Sequence, residues 1–486
     1  MIPKLLIALA LAGLIFFLVG RKQKVQAAPE NRPRLTNGGK EKATAKTLAV
    51  VRTSPETRMQ ESTLSFQVSQ SQGSMQAAVP TITVLTETKQ SIVGFGGAFT
   101  DAACFMFNEM PKDKRAALFP ELFGHGGLNL NFCRTCIGAS DYATHVYSYD
   151  EGEPDPELKR FSIEHDRKYI LPIIREALAV NPDIFLYGSA WSPPGWMKSN
   201  GSMLGGAMRR HSLEPYSRYL LKFVQAYGEE GVKIKAVTVQ NEVDTDQDGN
   251  MPACIWAQEL EVDFVRGFLG PLFQKEGIDT KIWIIDHNYN LWGRALGSLD
   301  TPGMLKYTDG IAWHGYVGDA SKVSTVHDSY PDVSMFWTEG GPDYTNADYG
   351  TDWCKWSRTF SNILSNWCRG ITVWNLALNE VGKPNIGPFP CGGLVTINSQ
   401  TKEVSLSGQY FALAHFSKYV KPGARVLCTS QSGQENSLSR VAFVNPDGGK
   451  VLVVTNSGAA TAVDLVEGGN QVRLDLPADS VTTLRW

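Results

Sequence analysis

With 486 residues the chain exceeds what one hydrophobic core usually covers, so two domains are expected. Hydrophobic residues at 43% and charged residues at 20% describe an ordinary globular protein. A formal net charge of −3, with no basic cluster interleaved with aromatics, gives no electrostatic case for a nucleic-acid partner.

At the N-terminus, Lys4 precedes an apolar run over residues 5–19, short for a bilayer span and suited to the core of an export signal. Val25-Gln26-Ala27 offers small residues at a cleavable spacing, but Arg21, Lys22 and Lys24 lie between, which is unusual before a cut site. Residues 1–27 therefore read either as a cleaved signal or as a retained membrane anchor. Both readings expect an exported chain, secreted or periplasmic. Residues 28–46, rich in Pro, Gly, Asn and Lys without periodicity, read as a linker.

Residues 47–90 carry short β-type runs (48–51 and 81–85) separated by Ser/Gln-rich turns. Over residues 91–418 the texture becomes alternating strand and helix. Strand-like runs fall at 93–95, 128–134, 184–189, 236–239, 281–285, 310–313, 334–337 and 370–373, with helical stretches such as 163–180, 215–229, 258–273 and 357–366 between them. Eight such repeats predict a (β/α)8 barrel, with an open doubly wound sheet as the alternative. Residues 419–486 return to β texture, with a hairpin at Asn445-Pro446-Asp447-Gly448-Gly449. These last strands and those of 47–90 are expected to form one β-sandwich side domain built from both chain ends.

Polar and aromatic residues follow the eight strands: Asp101, Asp141, Trp191, Asn241-Glu242, Asp286-His287, His314, Glu339 and Trp374-Asn375. A barrel gathers such residues at one mouth. Glu242 follows the fourth strand and Glu339 the seventh, so three βα units put them on opposite sides of the ring. Paired carboxylates flanking a bond are what glycosidic cleavage needs. Asn241 is placed to hold a hydroxyl, His314 and Tyr316 to tune a carboxylate, and Trp191 and Trp374 to wall a ring; taken singly, each residue also has a structural reading. No G-x-S-x-G, H-E-x-x-H or phosphate-binding loop is present. Asp244-x-Asp246-x-Asp248-Gly249 opens like a calcium loop, but Ile255 occupies the twelfth position where a bidentate Glu belongs. No metal and no cofactor are expected. The eight cysteines permit disulfides in an exported chain without fixing their pairing, and Cys133 and Cys136 read as buried thiols.

The stretches GFGGAFTDAA at 94–103, SAWSPPGWMKSNG at 189–201, AVTVQNE at 236–242, WTEG at 337–340, WNLALNEVGKPN at 374–385 and YFALAHFSKYVKPGARV at 410–426 resemble glycoside hydrolase family 30. That family includes acid β-glucosidase (glucosylceramidase) and β-1,6-glucanases. The resemblance implies a retaining double displacement with Glu242 as acid/base and Glu339 as nucleophile. It also implies Asp101, Trp191, Asn241 and Trp374 as sugar contacts, with Arg134, His314 and Tyr316 around the nucleophile. Glu242 is then expected to be protonated at rest, its pKa raised by Glu339. The sequence departs from acid β-glucosidase in the Asp-rich loop over residues 243–251 and in the loop after Asn385, which leaves the leaving group open. A β-glucosidase or glucosylceramidase is the leading expectation, acting on a β-glucoside, glucan or glycolipid. An endo-β-1,6-glucanase is the alternative, then a β-xylosidase, and a non-catalytic carbohydrate-binding protein stands outside the enzyme class.

Overall fold

The computed structural model describes residues 47–68, 79–433 and 436–486; the expected signal or anchor and the linker lie outside the described residues. Eight parallel strands close into a barrel: β1 (Gly94–Phe99), β2 (Phe132–Cys136), β3 (Phe185–Ser189), β4 (Ala236–Thr238), β5 (Lys281–Asn288), β6 (Gly310–His314), β7 (Ser334–Glu339) and β8 (Cys368–Val373). The strands are buried along nearly their whole length. That is why they appear in the sequence as apolar runs rather than alternating ones.

The barrel interior is built in layers, because side chains two residues apart on a strand face the same way. The lower layer is an aromatic plug of Phe132, Tyr187, Ala236, Trp283, Ala312 and Phe336, with the Trp283 and Phe336 rings stacked at 4.2 Å. Glycine makes room for it: a Cβ on Gly370 would stand 2.8 Å from the Phe132 ring. Two residues further along β2, β3, β4, β6 and β7 come Arg134, Ser189, Thr238, His314 and Thr338, all buried. An apolar floor therefore carries a polar storey, and the polar storey faces the mouth.

Strand β5 breaks the period. Ile285 and Asp286 both have positive φ (73° and 45°), and the register against β6 jumps from Ala312↔Ile285 to Trp313↔His287. The extra residue, Asp286, turns into the barrel as a bulge does. The Ile285 N–H that leaves the ladder donates to the Glu261 carboxylate (2.9 Å), itself clamped by Arg294 (2.8 Å). Strand β5 runs three residues beyond the 281–285 expected from sequence, and those three reach the site. The helix expected over 163–180 is two, Glu164–Tyr169 and Leu171–Val180, since Pro172 at the start of the second has no N–H to carry the first helix's hydrogen-bond ladder onward.

Ten strands outside the barrel form one further sheet that draws on both chain ends. Thr47–Ser54 pairs antiparallel with Ser480–Arg485, which pairs in turn with Lys450–Asn456. Leu48, Val50, Ile82, Leu452, Leu465, Leu474 and Leu484 are among the residues that fill its own core. The barrel and this side sheet are joined by polar bolts. His415, on the helix Gly408–Ser417, contacts Thr53 (2.9 Å) and Thr483 (2.8 Å), and Trp353 donates to the Asp479 carbonyl (3.0 Å). All eight cysteines are free thiols, and Cys133 and Cys136 are buried on β2.

Candidate active site

A cavity of about 530 Å3 opens at the carboxyl ends of the strands, lined by Asp141, Trp191, Asn241, Glu242, Gln247, His287, Tyr316, Glu339, Trp374 and Phe389 among others. Its floor is organised by Arg134, whose guanidinium is fully buried. One nitrogen donates to Glu339 Oε2 (2.6 Å); the other serves Asp286 Oδ2 (2.7 Å), Asn241 Oδ1 (2.8 Å) and Ser189 Oγ (2.9 Å). The same group lies 4.5 Å from the centre of the Trp191 ring. A rigid planar fork suits this work better than an ammonium would. Asp286 is the counter-ion, accepting also from Thr238 and Thr338 (2.7 Å each). Burial alone would raise its pKa, but the charge of Arg134 and hydrogen bonds from His314 and Ser189 hold it well below the usual range.

Glu339 ends β7 and faces the cavity. Tyr316 donates its hydroxyl to Oε1 (3.1 Å), although the Tyr316 ring is half exposed at the rim. Glu242 sits four residues past the end of β4, at φ 56°, and is fixed by its own N–H donating to the Asp286 carbonyl (3.0 Å). Two imidazoles converge on its Oε1, His287 Nδ1 and His314 Nδ1, each at 3.3 Å. Gln247 donates to Oε2 (2.8 Å). His314 stands between the two carboxylates, with its Nε2 at 3.1 Å from Asp286 and 3.8 Å from Glu339 Oε2. Among the described residues, Glu242, His287 and His314 are the group whose ligating atoms, within 4.8 Å of one another, could hold a metal ion. The far nitrogens of both imidazoles are held by carboxylates, Asp244 (2.7 Å) and Asp286.

The protonation pattern differs from the sequence expectation. Burial favours the neutral form of Glu242, but hydrogen bonds and charge from His287 and His314 outweigh it and bring the pKa below the ordinary range. Glu339 is pushed up, chiefly by burial and further by Glu242 and Asp286, against the opposing charges of His314 and Arg134. His287 is pushed up to about 9: burial opposes the shift, and Asp244 and Glu242 drive it. The physical reason is the second imidazole. His287, like His314, follows a strand and was expected at the mouth, but nothing in the sequence pairs it with Glu242.

Trp191 and Trp374 are stacked at 4.9 Å and 18°, forming a wall of the cavity with Met251. Asn241 lines it too; its oxygen is committed to Arg134, so it offers a ligand N–H donation. Asp101 is the exception among the expected contacts, for it does not line the cavity. Its Oδ2 accepts from the Thr144 amide (2.6 Å) and hydroxyl (2.7 Å), and its Oδ1 pairs with His165 (2.7 Å). It begins the helix Asp101–Asn108, and with both oxygens engaged it serves that packing. Asp141 lines the cavity instead, with a buried oxygen, Oδ1, that has no partner, and burial raises its pKa well above the usual value. Its position after β2 was visible in the sequence; its aim was not. Gln247 and Phe389 were missed because the loops that carry them have no periodic signal.

The chain matches the model of the glycosyl hydrolase family 30 TIM-barrel domain over residues 92–420 and that of the family's β-sandwich domain over residues 423–484. It belongs to glycoside hydrolase family 30. An endo-1,6-β-D-glucanase of Neurospora crassa is 34% identical over 387 residues, covering 76% of this chain and 79% of the relative. A putative glucosylceramidase of Caenorhabditis elegans is 29% identical over 422 residues, covering 81% and 80%. Among solved structures, an endo-β1,6-glucanase superposes on this family 30 hydrolase with a TM-score of 0.81 at 29% identity, covering 90% of this chain and 99% of that one. The family 30 fold and its sugar-hydrolase activity thus rest on the whole barrel and side sheet together.

Proposed function

We propose that this family 30 hydrolase is an endo-β-1,6-glucanase that retains anomeric configuration, with Glu339 as nucleophile and Glu242 as acid/base. The observation that carries the chemistry is His314, a single imidazole in contact with both carboxylates on facing walls of one cavity. Glu339 Oε2 is held by Arg134 and its Oε1 by Tyr316, so the carboxylate is aimed and its charge supported for attack on the anomeric carbon. In the first step the bond from Glu339 to the sugar forms as the glycosidic bond breaks, and the leaving oxygen takes a proton from Glu242. In the second, Glu242 removes a proton from water as that water displaces Glu339. Trp191 and Trp374 offer the sugar an apolar face, and Asn241, Asp141 and Tyr316 its polar edge.

Support for the 1,6 linkage comes from relatives named as endo-1,6-glucanases, including a solved one that matches along nearly its full length. The glucosylceramidase expected first from sequence is the second reading, favoured by relatives of that name and by an exposed apolar rim of Tyr316, Val317 and Phe389. A product profile on β-1,6-glucan, glucosylceramide and an aryl β-xyloside decides between them. Gluco-oligosaccharides released from β-1,6-glucan are expected; ceramide release without glucan cleavage overturns the proposal. For the mechanism, Glu339→Ala abolishes turnover of an aryl β-glucoside, and azide partly restores it as the α-glycosyl azide. A β-azide product removes Glu339 as nucleophile.

A further inference from the structure

Glu242 does not stand alone at the end of β4. Two residues later the same loop carries Asp244, and between them, reaching across from β5, lies His287. Its Nδ1 is 3.3 Å from Glu242 Oε1 and its Nε2 is 2.7 Å from Asp244 Oδ1. The imidazole is buried, and its Nδ1, 3.3 Å from Glu242 Oε1, makes no well-directed hydrogen bond in the free site. It reaches this place only because of the β5 bulge. Asp286 takes the inward position, His287 is thrown to the mouth, and Glu261 with Arg294 holds the released backbone. A bulge supported by its own buried ion pair is an expensive way to place one histidine.

We propose that His287, anchored by Asp244, is a positioning residue that loads and aims the acid/base Glu242, so that the loop bounding the cavity also controls its proton. This rests on the Glu242 assignment above. The charged groups facing His287 are Glu242 and Asp244 from the loop after β4, His314 from β6 (ring centres 5.8 Å apart) and, through Asp244, Arg294; Asp286, next to it on β5, turns the other way to Arg134. Two carboxylates on one imidazole favour a proton there, in keeping with the rise of His287 to about 9.

The proton balance follows. In the free site the shared proton sits on His287 and Glu242 is an anion. For the first step it crosses from Nδ1 to the Glu242 carboxyl: the N–H bond breaks and the carboxyl O–H forms. The carboxyl then gives it to the leaving oxygen, so that His287 ends neutral and Glu242 ends anionic. In the second step the proton taken from water by Glu242 returns to the pair, and no other reactant is needed. The proton is thus retained for catalysis well above the pH at which an isolated glutamate would have lost it.

The test is the pH dependence of kcat/KM for the full chain and for its His287→Gln and Asp244→Asn variants. Phenyl β-glucoside, whose leaving group needs protonation, is compared with 2,4-dinitrophenyl β-glucoside, whose leaving group does not. On the phenyl glucoside, His287→Gln is expected to move the alkaline limb toward acid by more than about one pH unit and to cost roughly 10–100-fold near pH 8. Asp244→Asn moves it the same way by less. On the dinitrophenyl glucoside both variants stay within about threefold of wild type. Equal losses on both substrates, or an unmoved alkaline limb, overturn the proposal and leave His287 a structural residue. Neither aryl glucoside contains a 1,6 bond, so failure of the linkage reading appears in the product profile and not here.

Discussion

His415 makes a quantitative prediction about how the barrel and the side sheet are held together. It is fully buried, bridges Thr53 and Thr483, and its pKa is pushed down to about 3 from 6.5 by burial alone. A depressed imidazole stays neutral in the folded protein while the unfolded chain takes up a proton below pH 6.5. Stability is therefore full above that pH and is lost as pH falls toward 3. The loss grows by roughly 1.4 kcal/mol per pH unit, so about 3 kcal/mol at pH 4.5. His415→Gln keeps a donor and an acceptor between the two threonines but cannot titrate. At pH 7.5 the variant is expected to be less stable by roughly 1–2 kcal/mol from imperfect packing and hydrogen bonding. On acidification the wild type loses this lead, and near pH 4.5 the order reverses. The assay is the urea midpoint and slope of both proteins at four pH values between those limits. Buried carboxylates such as Asp166 and Asp352, both pushed up to about 6, bend both curves alike and cancel in the difference. A gap that stays constant with pH refutes the buried-neutral account of His415.

A lysine ammonium has three donors, so Arg134→Lys should leave at most three of the fork's five hydrogen bonds; at about 1.5–3 kcal/mol for each of the two or more lost, kcat/KM falls by at least about 100-fold. Near-wild-type kinetics would mean the fork does not hold Glu339. A Cβ on Gly340 would lie 2.2 Å from the Trp337 ring, which must displace the residue after Glu339. Gly340→Ala is therefore expected to lower kcat by about 10–100-fold in steady-state assays, and unchanged kinetics would show that the ring yields instead. Asp101→Asn should lower the melting temperature by weakening the bonds to Thr144 and His165, with KM within about threefold of wild type. A large rise in KM at unchanged melting temperature would return Asp101 to the sugar site.

The alternation of buried strand and helix, eight times over, is written in hydrophobic runs, and the polar residues that follow each run mark one mouth. Glu242, Glu339, Asn241, Trp191 and Trp374 were legible that way, because each lies within a few residues of a strand end and a barrel has only one place to put such residues. The side sheet was legible as β texture at both ends of the chain. The ladder joining Thr47–Ser54 to Ser480–Arg485 needed coordinates, since nothing local in either segment names its partner.

Tertiary structure alone decided what each polar group faces. Asp101 and Asp141 both follow strands, yet one is sealed by Thr144 and His165 while the other has a free oxygen in the cavity wall. Strand periodicity carries a side chain in or out by its parity, and a bulge reverses that parity without a mark in the sequence. On β5 it turned Asp286 inward to Arg134 and sent His287 to Glu242. The two glutamates could be named from the chain, but the direction of their pKa values could not. That direction depends on burial and on imidazoles 45 and 72 residues away along the chain and 3.3 Å away in space.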